Sequence, residues 1–279
     1  MAYRTIMTIL TDSDDSRHLL ENAGKVAREM GAHLDVLCLG IDRTQPGFYY
    51  AGASAMVFQD NLAQAHEHAE ALEKKAREEL ANLDIPWSAT GISTQLATLN
   101  GVVAHRTRFA DLVILPQPYG EGRGHEHEAI VEAALFNGSV PVLILPNKKP
   151  FPDKIENIVL AWNDSAEALG AARAALPFLK AAEYTCITII DPPSHGPDRS
   201  DPGGALSQML ARHDVRAEVS VLARTLPRVS DILNRHVIDK GADMVVMGAY
   251  GHSRFREAIM GGATRHMLEV AEAPVLMMH

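Results

Sequence analysis

Short, unbroken runs of apolar residues alternate along the chain with longer stretches whose apolar residues recur at helical spacing. The runs are rich in Val, Ile and Leu, which is typical of strands buried on both faces of a sheet. The stretches between them, such as HLLENAGKVAREM, have the pattern of amphipathic helices. Strands that alternate with helices in this way predict an α/β fold, in which helices cover both faces of a parallel sheet.

The pattern occurs twice, once in each half of the chain. In the first half the strand-like runs are RTIMTIL, AHLDVLCLGID, WSATGISTQ, ADLVILP and VPVLILP. Their counterparts in the second half are IENIVLA, YTCITIIDPP, VRAEVSVLA, ADMVVMG and APVLMMH. A repeat at half the chain length predicts two tandem open-sheet domains, each with a five-stranded sheet. We place the domains at residues 1–147 and 154–279, because NKKPFPDK is charged, carries prolines and has few core residues.

Composition narrows the classes of partner. The 279 residues are 47% hydrophobic and 22% charged, which is ordinary for a globular protein. The formal net charge of −9 argues against a nucleic-acid partner and against an anionic membrane surface. No apolar run approaches the roughly 20 residues of a membrane span and no signal peptide is seen, so a cytoplasmic location is expected. Cys38 and Cys186 fall in strand-like runs, which predicts buried, unpaired thiols.

A glycine-rich segment, GAYGHSRFREAIMGGATRHML, joins the last two apolar runs of the second half. It leaves the predicted fourth strand and enters a helix expected around residues 262–270. In open parallel sheets, ligands bind beyond the strand carboxyl ends where strand order reverses, and a helix N-terminus there offers free backbone N–H groups. The residues suited to wrap a phosphate group are Gly261, Gly262, Ala263 and Thr264. The alternative is that the glycines only form turns and close helix–sheet contacts.

The glycine spacing carries a resemblance to a known family. Gly248, Gly251 and Gly261, followed by Ala273-Pro274-Val275-Leu276 in the last strand, resemble the pattern of the universal stress protein family. The two halves together are similar to a tandem universal stress protein over nearly the whole chain. The resemblance implies a sheet of order 3-2-1-4-5 with helices on both faces. It also implies an ATP-binding variant of the fold, in which the glycine loop holds the phosphates and the end of the first strand contacts adenine or ribose.

The resemblance implies a site for ATP, which the sequence does not distinguish from ADP or AMP. Two positions depart from the family pattern: Gly262 replaces the usual Ser or Thr, and Asn163 replaces the Asp that usually ends the first strand. Arg254 could neutralise phosphate charge, and Trp162 either stacks on the base or is simply a half-buried aromatic. Asp191, at the end of the second strand, is the candidate to hold magnesium. The cofactor-binding residues predicted here are Ala161, Trp162, Asn163, Asp191, Gly248, Gly251, His252, Arg254, Gly261, Gly262, Ala263 and Thr264.

The first half reverses these features. Thr11-Asp12-Ser13 keeps an acid at the end of the first strand and resembles the nucleoside-contacting turn of the family. Pro116, however, stands at the position of the first family glycine. The helix start is expected at Ala129-Ile130-Val131-Glu132, where bulky side chains block the backbone and Glu132 repels phosphate. We therefore predict that the first half does not bind ATP in the usual way.

Two histidine-rich stretches raise the question of a metal site. His66-Glu67-His68 and His125-Glu126-His127 fall in helical or loop contexts, with no cysteine and no HExxH spacing nearby. We expect solvated surface residues there, and no metal site. The chain also has neither a P-loop nor a G-x-S-x-G elbow. No catalytic residue is therefore assigned, and at most a slow hydrolysis of bound nucleotide is expected.

Three functions remain open at this point. The first is a stress-response regulatory protein that binds an adenine nucleotide in its second domain. The second is a structural or interaction protein of the same fold that binds no nucleotide. The third is a slow nucleotide hydrolase. The apolar last strands, which the resemblance implies meet one another, are compatible with a homodimer, and a regulatory role requires a protein partner still unknown.

Overall fold

The structure is a computed structural model that describes residues 2–13, 16–43, 55–120, 122–147, 149–192, 201–249 and 262–279. It confirms the predicted α/β class, with a mostly parallel sheet and helices between the strands. Within these residues the strands are β1 (Thr5–Leu10), β2 (His33–Asp42), β3 (Trp87–Gln95), β4 (Leu112–Pro116), β5 (Val142–Leu145), β6 (Asn157–Ala161), β7 (Tyr184–Ile190), β8 (Ala217–Leu222), β9 (Met244–Gly248) and β10 (Val275–Met278).

Helices separate nearly all successive strands, as the alternating pattern predicts. In the same residues the helices are α1 (Ser16–Met30), α2 (Ala55–Leu80), α3 (Leu99–Thr107), α4 (His125–Glu132), α5 (Ala166–Ala174), α6 (Leu176–Ala181), α7 (Gly204–Ala211), α8 (Val229–Asp239) and α9 (Gly262–Val270). A π-helical turn, Ala133–Asn137, continues α4. The helix expected around residues 262–270 is thus present with those bounds.

Contacts divide the chain into two compact units. The N-terminal unit comprises residues 3–115 and 122–140. Its strands lie in the order β3-β2-β1-β4 and pair in parallel, as predicted for the first four strands of the first half. The unbroken apolar runs form the core because both faces of these strands are covered: Ile6, Leu34 and Leu112 are fully buried.

The C-terminal unit comprises residues 1–2, 116–121 and 141–279. Its strands lie in the order β5-β10-β9-β6-β7-β8, so the strands of the second half follow the predicted order 3-2-1-4-5. β5 and β10 pair antiparallel, with Leu143 opposite Leu276. The implied meeting of the two last strands therefore occurs within the chain. The domain boundaries at 1–147 and 154–279 stay predictions.

Both cysteines are buried and free, as their strand positions predict. Burial, with a smaller contribution from the Glu73 carboxylate, raises the pKa of the Cys38 thiol to about 12. Cys186 lies 3.4 Å (Sγ to Nε2) from His236 on α8. Burial lowers the pKa of that imidazole, and the nearby Lys240 lowers it further. Across the part of the chain that is described, no helix combines the length and the apolar character needed to cross a membrane.

Candidate functional site

The candidate site lies at the carboxyl ends of β6 and β9, which pair in parallel. On the side away from β9, β6 pairs with β7, so the strand order reverses between β6 and β9. This reversal opens a crevice at the sheet edge in doubly wound folds. The predicted first-strand residues lie there: Ala161 and Trp162 are half-buried, and Asn163 is exposed.

The turn after β6 is held by local hydrogen bonds. The Trp162 backbone N–H donates to the Thr188 carbonyl at 2.9 Å, and the Asn163 side-chain oxygen accepts from the Ser165 N–H at 3.3 Å. Ser165 is the N-cap of α5, and its hydroxyl accepts from the Ala168 N–H at 3.1 Å. The polar cluster after the apolar run therefore caps a helix, as its sequence predicts. Asn163 contributes to this turn through the oxygen of its side-chain amide.

Gly248, the last residue of β9, has a structural explanation of its own. A Cβ atom there would lie 2.6 Å from the Ala168 nitrogen and 2.8 Å from the Glu167 carbonyl carbon, both in the first turn of α5. Both atoms belong to the backbone, so any larger residue requires α5 to move. Gly248 therefore permits the close contact between helix and sheet that we considered as the alternative to a ligand role.

Gly262, the first residue of α9, has no such explanation. A Cβ atom built there meets no other atom within 4 Å among the described residues, and both Gly262 and Ala263 are exposed. Thr264 is buried, with 4% of its surface exposed. The first N–H groups of a helix have no partner within that helix, and the helix dipole places partial positive charge beside them. Among the described residues, no side chain would contact a Cβ atom at Gly262, the first residue of this turn.

The other predicted site residues are less defined. Asp191 follows β7 with an exposed side chain and a positive φ of 51°, and its N–H donates to the Leu222 carbonyl at 2.9 Å. Over the described ranges, no three His, Cys, Asp or Glu side chains converge to hold a metal ion. Magnesium at Asp191 stays a prediction. The predicted residues that lie outside the described residues are Gly251, His252, Arg254 and Gly261.

Arg265 and His266, the next residues of α9, contact other side chains of the protein. The Arg265 Nε lies 2.9 Å from a Glu269 carboxylate oxygen, one turn further along the helix. The His266 Nδ1 lies 2.8 Å from the Ser230 hydroxyl and 3.3 Å from an Asp231 carboxylate oxygen. The ion pair lies within α9, whereas the contacts of His266 hold α9 against α8. Sequence reasoning missed His266, because nothing in the sequence pairs it with residues that precede it by more than 30 positions.

The corresponding helix of the N-terminal unit, α4, corrects one expectation. It begins at His125 after the N-cap Gly124, four residues before the predicted start at Ala129. Ile130 and Val131 are buried on the second turn, so they do not block the first turn. Glu132 lies at the other end of α4, where it cannot repel a phosphate at the N-terminus. Burial raises the pKa of Glu132, and Glu128 raises it further.

The acid at the N-terminus of α4 is instead Glu126. Its carboxylate accepts from the Arg43 guanidinium at 2.5 Å (Nη2) and 3.1 Å (Nε), and only 9% of its side chain is exposed. Burial raises the pKa of Glu126, but a hydrogen bond to its own backbone N–H and the Arg43 charge outweigh burial and hold the pKa below its usual value. A carboxylate at this position satisfies the anion preference of the helix N-terminus from within the chain.

His127 fills the same turn beside Glu126. Its Nε2 lies 3.2 Å from the Thr11 hydroxyl, and its Nδ1 accepts from the Gly124 N–H at 3.2 Å. Thr11 in turn lies 3.3 Å from an Asp12 carboxylate oxygen. The nucleoside-like turn predicted at residues 11–13 is therefore engaged by α4.

The expectation of solvated histidines is wrong for part of one stretch. Glu126 and His127 are each 7% exposed. They lie one turn before the buried Ile130 and Val131, which places them on the inward face of α4. That spacing was the sequence signal for their burial. His66, in contrast, lies on an exposed face of α2, with its Nε2 3.3 Å from the Glu70 Oε1.

The fold and the sequence were each compared with known proteins. The open, mostly parallel sheet, whose strand order reverses between β6 and β9, is typical of doubly wound α/β proteins. The sequence model of the universal stress protein family matches residues 154–279, which confirms the predicted resemblance over this part of the chain.

Similarity extends over the full length. The chain is 24% identical to universal stress protein Slr1230 from Synechocystis sp., in an alignment that covers 98% of this chain and 99% of the relative. A universal stress protein from Archaeoglobus fulgidus has a similar structure, with a TM-score of 0.74 at 14% identity, over 98% of this chain and 95% of that one. A putative universal stress protein from Pseudomonas aeruginosa gives a TM-score of 0.58 at 15% identity, over 99% and 93%. At these identities the structural matches establish the fold.

Proposed function

We propose that this universal stress protein is a regulatory protein that binds ATP or a related adenine nucleotide in its C-terminal unit. The observation that carries the proposal is the first turn of α9. Gly262 and Ala263 are exposed there, at the start of the helix that follows β9 in the chain, and no described atom would contact a Cβ atom at Gly262. A polyanion is the ligand that free helical N–H groups favour.

The remaining parts of a nucleotide site are arranged around this turn in the proposal. The phosphates lie on the N–H groups of residues 262–264. The base or ribose lies against Trp162 and Asn163, which follow β6. Trp162 is half-buried there, and Asn163 is exposed. Because Gly262 lacks a hydroxyl, the phosphate is held mainly by backbone donors. The regulatory effect is a population shift: the nucleotide favours one arrangement of the protein, and a partner binds that arrangement.

The N-terminal unit has no part in nucleotide binding in this proposal. The first turn of α4 already contacts the Glu126 carboxylate and the His127 ring, and a phosphate would meet a like charge there. One nucleotide per chain is therefore expected.

A protein of this fold that binds no nucleotide is the second candidate. The contact of Gly248 with α5 favours it, because this glycine of the family pattern is explained by packing alone. The hydrogen bond from Ser165 to the Asn163 side chain favours it as well, since it occupies an acceptor that a ribose hydroxyl would use.

A thermal unfolding experiment separates the two candidates. A ligand at about 100 times its Kd stabilises the folded chain by about 2.7 kcal/mol. We expect ATP with magnesium to raise the Tm of the full chain, and adenosine at the same concentration to raise it much less, because adenosine lacks the phosphates. An unchanged Tm at millimolar ATP would favour the second candidate. Equal shifts with adenosine and ATP would contradict binding through the first turn of α9.

A further inference from the structure

The segment 116–120, which follows β4 in the chain, belongs to the same compact unit as α9. Gln117 fixes this segment on the end of β5. Its N–H donates to the Leu145 carbonyl at 3.1 Å, and its side-chain oxygen accepts from the Asn147 N–H at 3.0 Å. Gln117 is 7% exposed, so these bonds lie in a site that excludes water. Buried amide bonds of this kind hold a segment in one register.

The same segment contacts α9 toward both of its ends. The Gln117 side-chain NH2 donates at 2.9 Å to the carbonyl of Ala271, the residue just beyond the helix. The carbonyls at the end of a helix have no partner within it, and Gln117 supplies one. Nearer the N-terminus, the Arg265 guanidinium lies over the Tyr119 ring, 5.3 Å from its centre. This distance is typical of a cation–π interaction.

We infer that Gln117 and Tyr119 are positioning residues for α9, the helix whose first turn holds phosphate in the proposed function. The inference rests on that proposed function. Arg265 lies on the fourth residue of α9, one residue after the buried Thr264, so its contact with Tyr119 restrains the helix next to the proposed phosphate donors. A helix moves as a rigid rod over a few turns, so a restraint at its fourth residue and another just beyond its last residue limit its movement along and about its axis.

The coupling works in both directions. If the position of α9 that segment 116–120 favours is the position that binds nucleotide, then the nucleotide must favour the docked segment by the same free energy. Pro116 replaces the first glycine of the family pattern at the start of this segment. Segment 116–120 therefore lacks the glycine pattern of the family, but it contacts α9, which follows that pattern in the second half.

Hydrogen exchange and ATP affinity together test the inference in the full chain. We expect Tyr119→Leu to raise the Kd for ATP about two- to fivefold, the range of an exposed cation–π interaction, and to speed amide exchange in α9 without ligand. Tyr119→Phe keeps the ring face and should leave both unchanged. Gln117→Leu removes the donor to the buried Ala271 carbonyl and the acceptor of the Asn147 N–H, so it should speed exchange in α9 more than Tyr119→Leu does.

Tyr184→Leu provides the matched control. Tyr184 lies 6.0 Å (ring centre) from the Lys240 ammonium in the same unit, on β7 rather than beside α9. This variant should lose a similar interaction with no change in ATP affinity or in α9 exchange. If Tyr119→Leu binds ATP like the unaltered chain, or leaves exchange in α9 unchanged, the inference is wrong while the proposed function stands. If the unaltered chain binds no ATP, the proposed function fails and the inference fails with it.

Discussion

The first turns of α4 and α9 follow strands at matching places in the two halves, yet they present opposite surfaces. In α4 the Glu126 carboxylate and the His127 ring lie on the turn, and Arg43 neutralises the carboxylate. In α9 the first two residues are Gly262 and Ala263, and both are exposed. The first turn of α4 thus carries a carboxylate from the chain itself, whereas the first two residues of α9 are small, uncharged and exposed.

In the proposed function, one acidic side chain at the helix N-terminus accounts for the different ligand binding of the two units. Glu126 is the second residue of α4, and Ala263 is the second residue of α9. The same position therefore carries a carboxylate in one unit and a methyl group in the other. The following predictions change one side of this comparison at a time, beginning with the largest expected effect.

Gly248→Ala should lower the free energy of unfolding by about 2 kcal/mol, the usual cost of overpacking. The added Cβ would lie 2.6 Å from a backbone nitrogen of α5, and the strand or the helix must move. The last residue of β9 is Gly248, whereas the last residue of β4 is Pro116, which carries a Cβ atom. Urea unfolding measures the change. Gly262→Ala is the control, since its Cβ meets no described atom within 4 Å and should cost little.

Ala263→Glu transfers the acid of α4 to α9. The new carboxylate would repel phosphate from the first turn, so the Kd for ATP should rise at least about tenfold. The same charge should stabilise the helix by about 0.5 kcal/mol through the helix dipole. Titration calorimetry and thermal unfolding measure the two effects. Ala263→Gln, which has the same size without the charge, should bind far better than Ala263→Glu; equal losses would indicate a steric effect.

Glu126→Gln removes the acid from α4. The pKa of Glu126 is lowered on folding, so its carboxylate stabilises the protein above the unfolded pKa of about 4.3, and this contribution is lost as pH falls through the folded pKa. The variant should be about 1 kcal/mol less stable at pH 7. Its stability should also fall less than that of the unaltered chain as the pH drops below about 4.3. Urea unfolding at several pH values tests this, and an unchanged pH dependence would contradict the role of the pair with Arg43.

Glu128→Arg should give the smallest effect. In α4, Glu128 and Glu132 are like charges one turn apart, whereas the same positions of α9 hold the pair Arg265 and Glu269. Replacing Glu128 with arginine should lower the pKa of Glu132 toward its usual value and stabilise the chain by about 0.5 kcal/mol. Carboxyl titration by NMR and thermal unfolding report these changes. A pKa that stays raised would show that burial alone determines it.

The fold could be predicted from the sequence because its signals are local. Unbroken Val, Ile and Leu runs predicted the parallel strands, and the glycine pair at 261–262 indicated the start of the helix that begins at Gly262. The contacts of α4 were not local. The pair of Arg43 with Glu126 spans 83 residues, and that of Thr11 with His127 spans 116. Glu126 and His127 meet these distant partners on the first turn of α4. The local sequence does not show those partners, and the start of α4 was predicted four residues too late.

The most direct test follows backbone amide signals of the full chain by NMR during titration with ATP and magnesium. The account predicts saturable shifts that are largest at residues 262–264 and absent at residues 125–127, with one nucleotide bound per chain. Shifts at residues 125–127, or no shifts at residues 262–264 under saturating ATP, would contradict it.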